Sequence, residues 1–201
     1  MHLTFRSAFL REQEIDNMTE RELARRIGEG NAEASEAFAR EHYPAVLRLV
    51  FRLSGQKEDA EDIAQETFLV ARQKISSFRG GSTLRTWIHR IALNEYRQWR
   101  RKRRTLPMLD HDQPVNDQGI KAFETGHVLA KAMQNIPEKQ REAFVLFEVE
   151  QLSMNEVAHV LGVPTGTAKA RVAYARQNLR NQLEGRPEVI KDEFKQSPSN
   201  G

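Results

Sequence analysis

The residues with the clearest chemical potential lie between 153 and 183, and their chemistry is recognition of a polyanion. Ser153 and Glu156 stand at capping-box spacing, so the hydroxyl can accept from the Glu156 amide while the glutamate reaches back. Val157, Ala158 and Leu161 follow at core spacing, Gly162-Val163-Pro164 makes a turn, and Thr165 or Thr167 can open a second helix. In that helix Ala168, Val172, Ala175 and Leu179 form a narrow apolar stripe. Lys169, Ala173, Arg176 and Arg180, with Ala170 and Gln177 beside them, fall on an exposed face, and no acid occurs from 166 to 183. A short helix, a glycine turn and a second helix with one basic face is the helix-turn-helix plan, whose second helix enters the DNA major groove. An ordinary helical hairpin with a solvated cationic face would use the same residues.

Charge blocks of opposite sign occupy the first half of the chain. Residues 58–66 carry Glu58, Asp59, Glu61, Asp62 and Glu66 and no base, whereas residues 72–104 carry eleven basic residues against the single acid Glu95. The basic block ends in RQWRRKRR over 97–104, a helix end that could lie against phosphates. Phe78, Trp87, Tyr96 and Trp99 are interleaved with these bases, and aromatic faces beside cations are what unstacked single-stranded bases bind. Trp87, beside Ile88 and Ile91, also suits a core; Tyr96 and Trp99 suit either place; Phe78, next to Arg79-Gly80-Gly81-Ser82, suits a hinge plug or a stacking platform. The formal charge of +3, from 31 Lys and Arg against 28 Asp and Glu, therefore hides a patterned field.

Other function classes find little support. There is no cysteine, which removes disulfide scaffolds, thiolate metal sites and a cysteine nucleophile. The six histidines, His89, His111 and His159 among them, are scattered, and Gly28-Glu29-Gly30 lacks the third glycine of a dinucleotide loop. Binding without catalysis, metal, cofactor or small-molecule substrate is expected. The longest apolar run, the five residues from Ala143 to Phe147, is far short of the roughly 20 that a membrane helix needs. Arg6, Arg11, Glu12 and Glu14 occupy the place where a signal peptide is apolar, so a cytoplasmic location is expected.

The elements that must position these residues are helices throughout. Helical apolar spacing recurs in segment after segment of the 201 residues, glycine and proline number only 11 and 7, and strand alternation is missing, which predicts an all-α fold. Helices are predicted over about 19–28, 33–54, 58–75 and 83–103, with Thr19 as the first N-cap. Residues 105–124, with Pro107, Pro114 and Gly119, read as a flexible linker. Helical spacing resumes at Val128, Leu129, Ala132, Met133 and Ile136, and Pro137-Glu138 opens a further helix through Phe144, Val145, Leu146 and Phe147. Two small helical domains result, 19–104 and 125–184, flanked by an extension over 1–18 and a polar tail over 185–201.

Residues 59–68 (DAEDIAQETF), 77–94 (SFRGGSTLRTWIHRIALN), 136–141 (IPEKQR) and 152–171 (LSMNEVAHVLGVPTGTAKAR) together resemble the extracytoplasmic-function class of bacterial sigma factors. The resemblance covers about residues 19–184 and includes both domains in order. It implies a region 2 helical bundle over 19–104 and a region 4 helix-turn-helix over 125–184. It further implies that Asp59, Asp62, Gln65 and Glu66 dock on the core RNA polymerase. Phe78, Arg79, Ser82, Thr83 and Asn94 would capture the melted single strand of the minus-10 promoter element. Lys169, Ala170 and Ala173 would face bases of the minus-35 duplex, with Arg97, Arg100, Arg101, Arg171 and Arg176 on DNA phosphates. Alanines at two reading positions depart from members with polar or aromatic side chains there, and suggest contact with thymine methyls or readout of DNA shape. An alternative sigma factor held by an anti-sigma factor is the implied function. The other reading is a stand-alone helix-turn-helix regulator, which would leave the acidic block and the 78–84 loop without a purpose.

Overall fold

A computed structural model describes residues 18–105 and 132–183, so the expected extension over 1–18, apart from Met18, the linker beyond Thr105 and the tail lie outside the described residues, as do Val128 and Leu129. The described chain forms two helical units. Helix α1 (Glu20–Gly28) starts where the Thr19 hydroxyl accepts from the Glu22 amide at 3.3 Å. Helix α2 (Ala32–Ser54) starts where the Asn31 carbonyl oxygen accepts from the Ala34 amide at 2.8 Å. Each cap satisfies one of the amides that a helix leaves unpaired at its first turn. Helix α3 (Lys57–Lys74) carries the acidic block, and a short 3₁₀ turn (Ile75–Ser77) leads through the 78–83 loop into α4 (Leu84–Thr105), which carries most of the basic block. Val46, Leu49, Val50 and Leu53 of α2 pack with Ala60, Ile63 and Ala64 of α3 and with Leu84, Ile88, Ala92 and Leu93 of α4 in one buried core.

The second unit contains α5 (Glu138–Phe144), α6 (Met154–Leu161) and α7 (Thr165–Leu183). The capping box at Ser153 and Glu156 is present in both directions, and Gly162 closes α6 in the left-handed conformation, φ 67°, that favours glycine. Ala168, Val172, Ala175 and Leu179 are all buried against α5 and α6, as their spacing predicts. One expectation changes. The helix opened by Pro137 does not stay α-helical through Phe147 but widens after Phe144 into a π turn (Val145–Val149). There the Glu150 amide donates to the Val145 carbonyl, five residues back, at 3.0 Å. The wider turn places Val145, Leu146 and the Glu150 side chain all inside, and Gln151 follows with φ 53°.

The two units pack directly on one another, with α4 against α6 and the π turn against α2. Gly55 shows how close the approach is. Its φ of 81° caps α2, and a Cβ built there would lie 2.9 Å from the Gln134 side-chain nitrogen of the second unit.

Ser153→Ala removes the N-cap of α6 and should lower unfolding stability by about 1 kcal/mol. Leu146→Ala, which empties a fully buried site, should cost about 2–5 kcal/mol. Chemical denaturation with circular dichroism compares the two, and the order of the losses is the expected result.

Candidate nucleic-acid interface

The loop over 78–83 is held from beneath by residues far away in the chain. The Thr83 hydroxyl accepts from the Thr86 amide at 3.1 Å, and the Glu20 carboxylate of α1 accepts from the Leu84 amide at 3.1 Å. Both bonds occupy first-turn amides of α4, where the helix dipole favours a carboxylate. Arg21 lies so close to Gly80, whose φ is 70°, that a side chain there would collide with its guanidinium. Glu20 and Arg21 are thus the residues that position the loop, and nothing in the 78–84 motif announces them. Phe78 is half-buried and meets Trp87 edge-on with ring centroids 5.8 Å apart, so both aromatics belong to the wall of the loop. Arg79, Thr83 and Asn94 are exposed and Ser82 is half-exposed.

Along α4 the remaining aromatics separate. Tyr96 is buried, with its hydroxyl donating to the Leu53 carbonyl at 3.3 Å. Trp99 is half-buried, stacks on Tyr96 at 5.9 Å, and carries the Arg103 guanidinium over its ring at 5.2 Å. Arg101 is exposed. Arg97 and Arg100 are half-buried and paired with acids, unlike a plain basic face. Arg97 forks onto Glu142 at 3.0 and 2.6 Å, and Arg100 lies 2.7 Å from Glu138. The bonds to Glu142 raise the Arg97 pKa further above its ordinary value.

The acidic helix α3 presents Asp62, Gln65 and Glu66 on an exposed face. Asp59 is half-buried and pairs with Arg103 at 2.7 Å, which separates it from the other members of that set. Burial and the charge of nearby Glu66 push the carboxyl of Glu95 above its usual range. On α7, Lys169, Ala170 and Ala173 are exposed and Arg171 is half-exposed. Arg176 lies over Phe147 at 5.5 Å and donates from Nε to Glu148 at 2.7 Å. The structure adds Tyr174, 63% exposed, next to Ala173 and one turn beyond Ala170. Its place four residues from Ala170 on the exposed face was the available signal for it.

A buried cluster joins the loop side of α4 to the second unit. Glu150 has no exposed surface, and its carboxylate accepts from Arg48 Nε and Nη2 at 2.8 Å each, with His89 Nε2 at 3.4 Å. Arg85 donates to the Glu150 carbonyl. Burial alone would raise the Glu150 pKa, but the bonds from His89 and Arg48 outweigh it and hold the carboxyl below its usual value. Glu156 follows the same pattern, its carboxylate shared between Ser153 and the buried Thr86 hydroxyl at 2.8 Å. Among the described residues no group of three or more His, Asp or Glu side chains could hold a metal ion, and no helix is long and apolar enough to cross a membrane.

Residues 38–105 match the family model Sigma-70 region 2, and residues 127–179 match Sigma-70, region 4. The ECF RNA polymerase sigma factor SigE of Mycolicibacterium smegmatis is 34% identical over 74% of this chain, which spans 61% of that relative's length. The ECF RNA polymerase sigma factor SigW of Bacillus subtilis is 31% identical over 69% of this chain and 82% of its own length. Among solved structures, the sigma factor RpoE in complex with the anti-sigma factor NepR from Bartonella quintana superposes with a TM-score of 0.57 at 29% identity, over 71% of this chain and 91% of that one. An acidic helix, an aromatic-walled loop at the head of a basic helix, and a helix-turn-helix occur here in the order of these two regions, and the chain belongs to the extracytoplasmic-function sigma factors.

Proposed function

We propose that this sigma factor docks on core RNA polymerase through Asp62, Gln65 and Glu66, with Asp59 joining them once released from Arg103. It then reads the minus-35 duplex with Lys169, Ala170 and Ala173 and captures the melted minus-10 strand at Phe78, Arg79, Ser82, Thr83 and Asn94. Arg97, Arg100, Arg101, Arg171 and Arg176 supply phosphate contacts, which position the protein without reading sequence. The observation that carries this reading is the exposure of Asn94, of the α3 acids and of the α7 reading face on three separate helices, each offering chemistry suited to its own partner. The action is binding: trapping an extruded base offsets an unstacking cost of a few kcal/mol, so strand opening needs no hydrolysis. A cytoplasmic location follows from work on polymerase. Control by an anti-sigma factor is supported by the RpoE relative, which was solved in complex with one. Transcription from promoter fragments by core polymerase with and without the purified protein tests the reading. Protein-dependent transcripts are expected, and absence of any binding to core would overturn it.

Asp62→Lys should weaken core affinity about tenfold or more while leaving the helical spectrum unchanged, because an exposed charge is reversed at the docking face. Undiminished affinity, measured by fluorescence anisotropy, would remove that assignment. Asn94→Ala should impair strand opening, followed by permanganate reactivity of unpaired thymines, more than closed-complex formation; equal loss of both steps would refute a pocket role. Lys169→Ala should change the ranking of altered minus-35 sequences in competition binding, by about 1–3 kcal/mol at one base position, and an unaltered ranking would count against base contact.

A further inference from the structure

Two exposed arginines at the loop before α4, Arg21 and Arg79, have guanidinium groups that pair with no acid among the described residues. Arg21 is left unpaired because the acids beside it are engaged elsewhere: Glu20 accepts from the Leu84 amide at 3.1 Å, and Glu22 holds Arg25 at 2.7 Å and Arg26 at 3.2 Å. Its guanidinium still has a definite place, against Gly80, where a built Cβ would lie 3.2 Å from Arg21 Cζ. Together with a φ of 70°, that contact explains the glycine at position 80. Gly81 has neither reason. It is exposed, its φ is outside the left-handed region, and a Cβ built there meets no atom within 4 Å. A glycine that neither its own backbone nor its neighbours require is suited to a ligand that comes close to the main chain. Gly81 is one Cα step, about 3.8 Å, from the residue on which Arg21 rests.

We propose that Arg21 of α1 and the open main chain at Gly81 form a phosphodiester seat within the strand-capture site: the Arg21 fork takes a phosphate of the single strand, with Arg79 beside it, and Gly81 lets the sugar-phosphate chain close on the loop. This seat rests on the reading of Phe78 to Asn94 as the capture site, and it adds α1 to that site. A guanidinium presents paired donors that match two phosphate oxygens. Arg21 breaks no ion pair to reach them, and its packing on Gly80 reduces the side-chain freedom lost on binding. A phosphate contact carries no sequence information, so the seat holds the backbone of the captured nucleotide at any promoter while Ser82, Thr83 and Asn94 meet its base.

The test uses holoenzyme assembled from core RNA polymerase and the full chain. The probe is a promoter selected by that holoenzyme from random-sequence duplexes, fluorescein-labelled and with its non-template strand left unpaired over the minus-10 element. Arg21→Gln, which keeps part of the stem against Gly80 and loses the charge, should weaken binding about fivefold. It should also flatten the dependence of log affinity on log salt by about 0.7, the share of one single-strand phosphate. Arg21→Lys should restore the salt slope. A parent-like slope in Arg21→Gln would reduce Arg21 to a prop for the loop and overturn the seat. Neutral methylphosphonate, placed at one linkage of the unpaired strand at a time, should reveal a linkage where the parent loses about fivefold and Arg21→Gln loses nothing further. Additive losses at every linkage would overturn the contact. Gly81→Ala should unfold at a temperature no lower than the parent yet bind the probe several-fold more weakly, about the loss of one contact. Parent affinity in that variant would overturn the close approach at Gly81. Arg25→Ala removes the same charge one turn further along α1, where Glu22 and Glu29 hold it, and should change neither affinity nor slope. An equal effect there would make the result one of net charge and overturn the seat. Asn94→Ala separates the two levels: weakened binding with Asn94→Ala but not with Arg21→Gln overturns the phosphate seat alone, and indifference to both overturns the capture site as well.

Discussion

A carboxylate with no exposed surface has to be paired, and Glu150 meets that demand with residues of the other helical unit. Much of the architecture depends on this. The π turn after Phe144 brings Glu150 inward, Arg48 reaches it from α2, and His89 and Arg85 reach it from the first turns of α4. The same turns of α4 follow the loop that carries Phe78 to Thr83, so the anchor between the units lies directly behind the proposed strand-capture site. A buried ion cluster of this kind is a poor source of net stability, because desolvation nearly cancels the attraction. It is a good source of specificity, since one wrong register leaves a charge unpaired. The contact is thereby held to one geometry without a large net attraction.

Charge is arranged on the same principle. The net +3 conceals acids on α3, acids at the start of α5 and bases along α4 and α7. In the structure many of these charges meet within the molecule: Asp59 with Arg103, Glu138 with Arg100, Glu142 with Arg97, Glu148 with Arg176. Others stay exposed, among them Asp62, Glu66, Arg79 and Lys169. Partners of either sign can therefore compete with internal pairs instead of finding a uniformly charged surface.

The helices were legible because local chemistry specifies them. Thr19, Ser153 and the Ala168 to Leu179 stripe each carry their signal within one or two turns, and the structure places caps and core there. The charge pairing was not legible for the opposite reason. Glu150 lies 102 residues from Arg48 and 61 from His89, and in the sequence it is one acid among surface-like neighbours. Glu20 beneath Leu84 is 64 residues away from the loop it supports. The π turn begins inside the apolar run from Ala143 to Phe147, where helical periodicity predicts continued α-helix. Tyr174 differs, since its place on the exposed face follows from the helix period.

Docking on core RNA polymerase is expected to part the two helical units that α4, α6 and the π turn hold together in the free protein. Energy transfer between dyes on α3 and α6, recorded before and after addition of core RNA polymerase, measures this directly. A stable transfer value is expected in the free protein, with a shift when core binds and the Glu150 and Glu142 contacts part. An identical value in both states, with binding to core verified in the same sample, would contradict it.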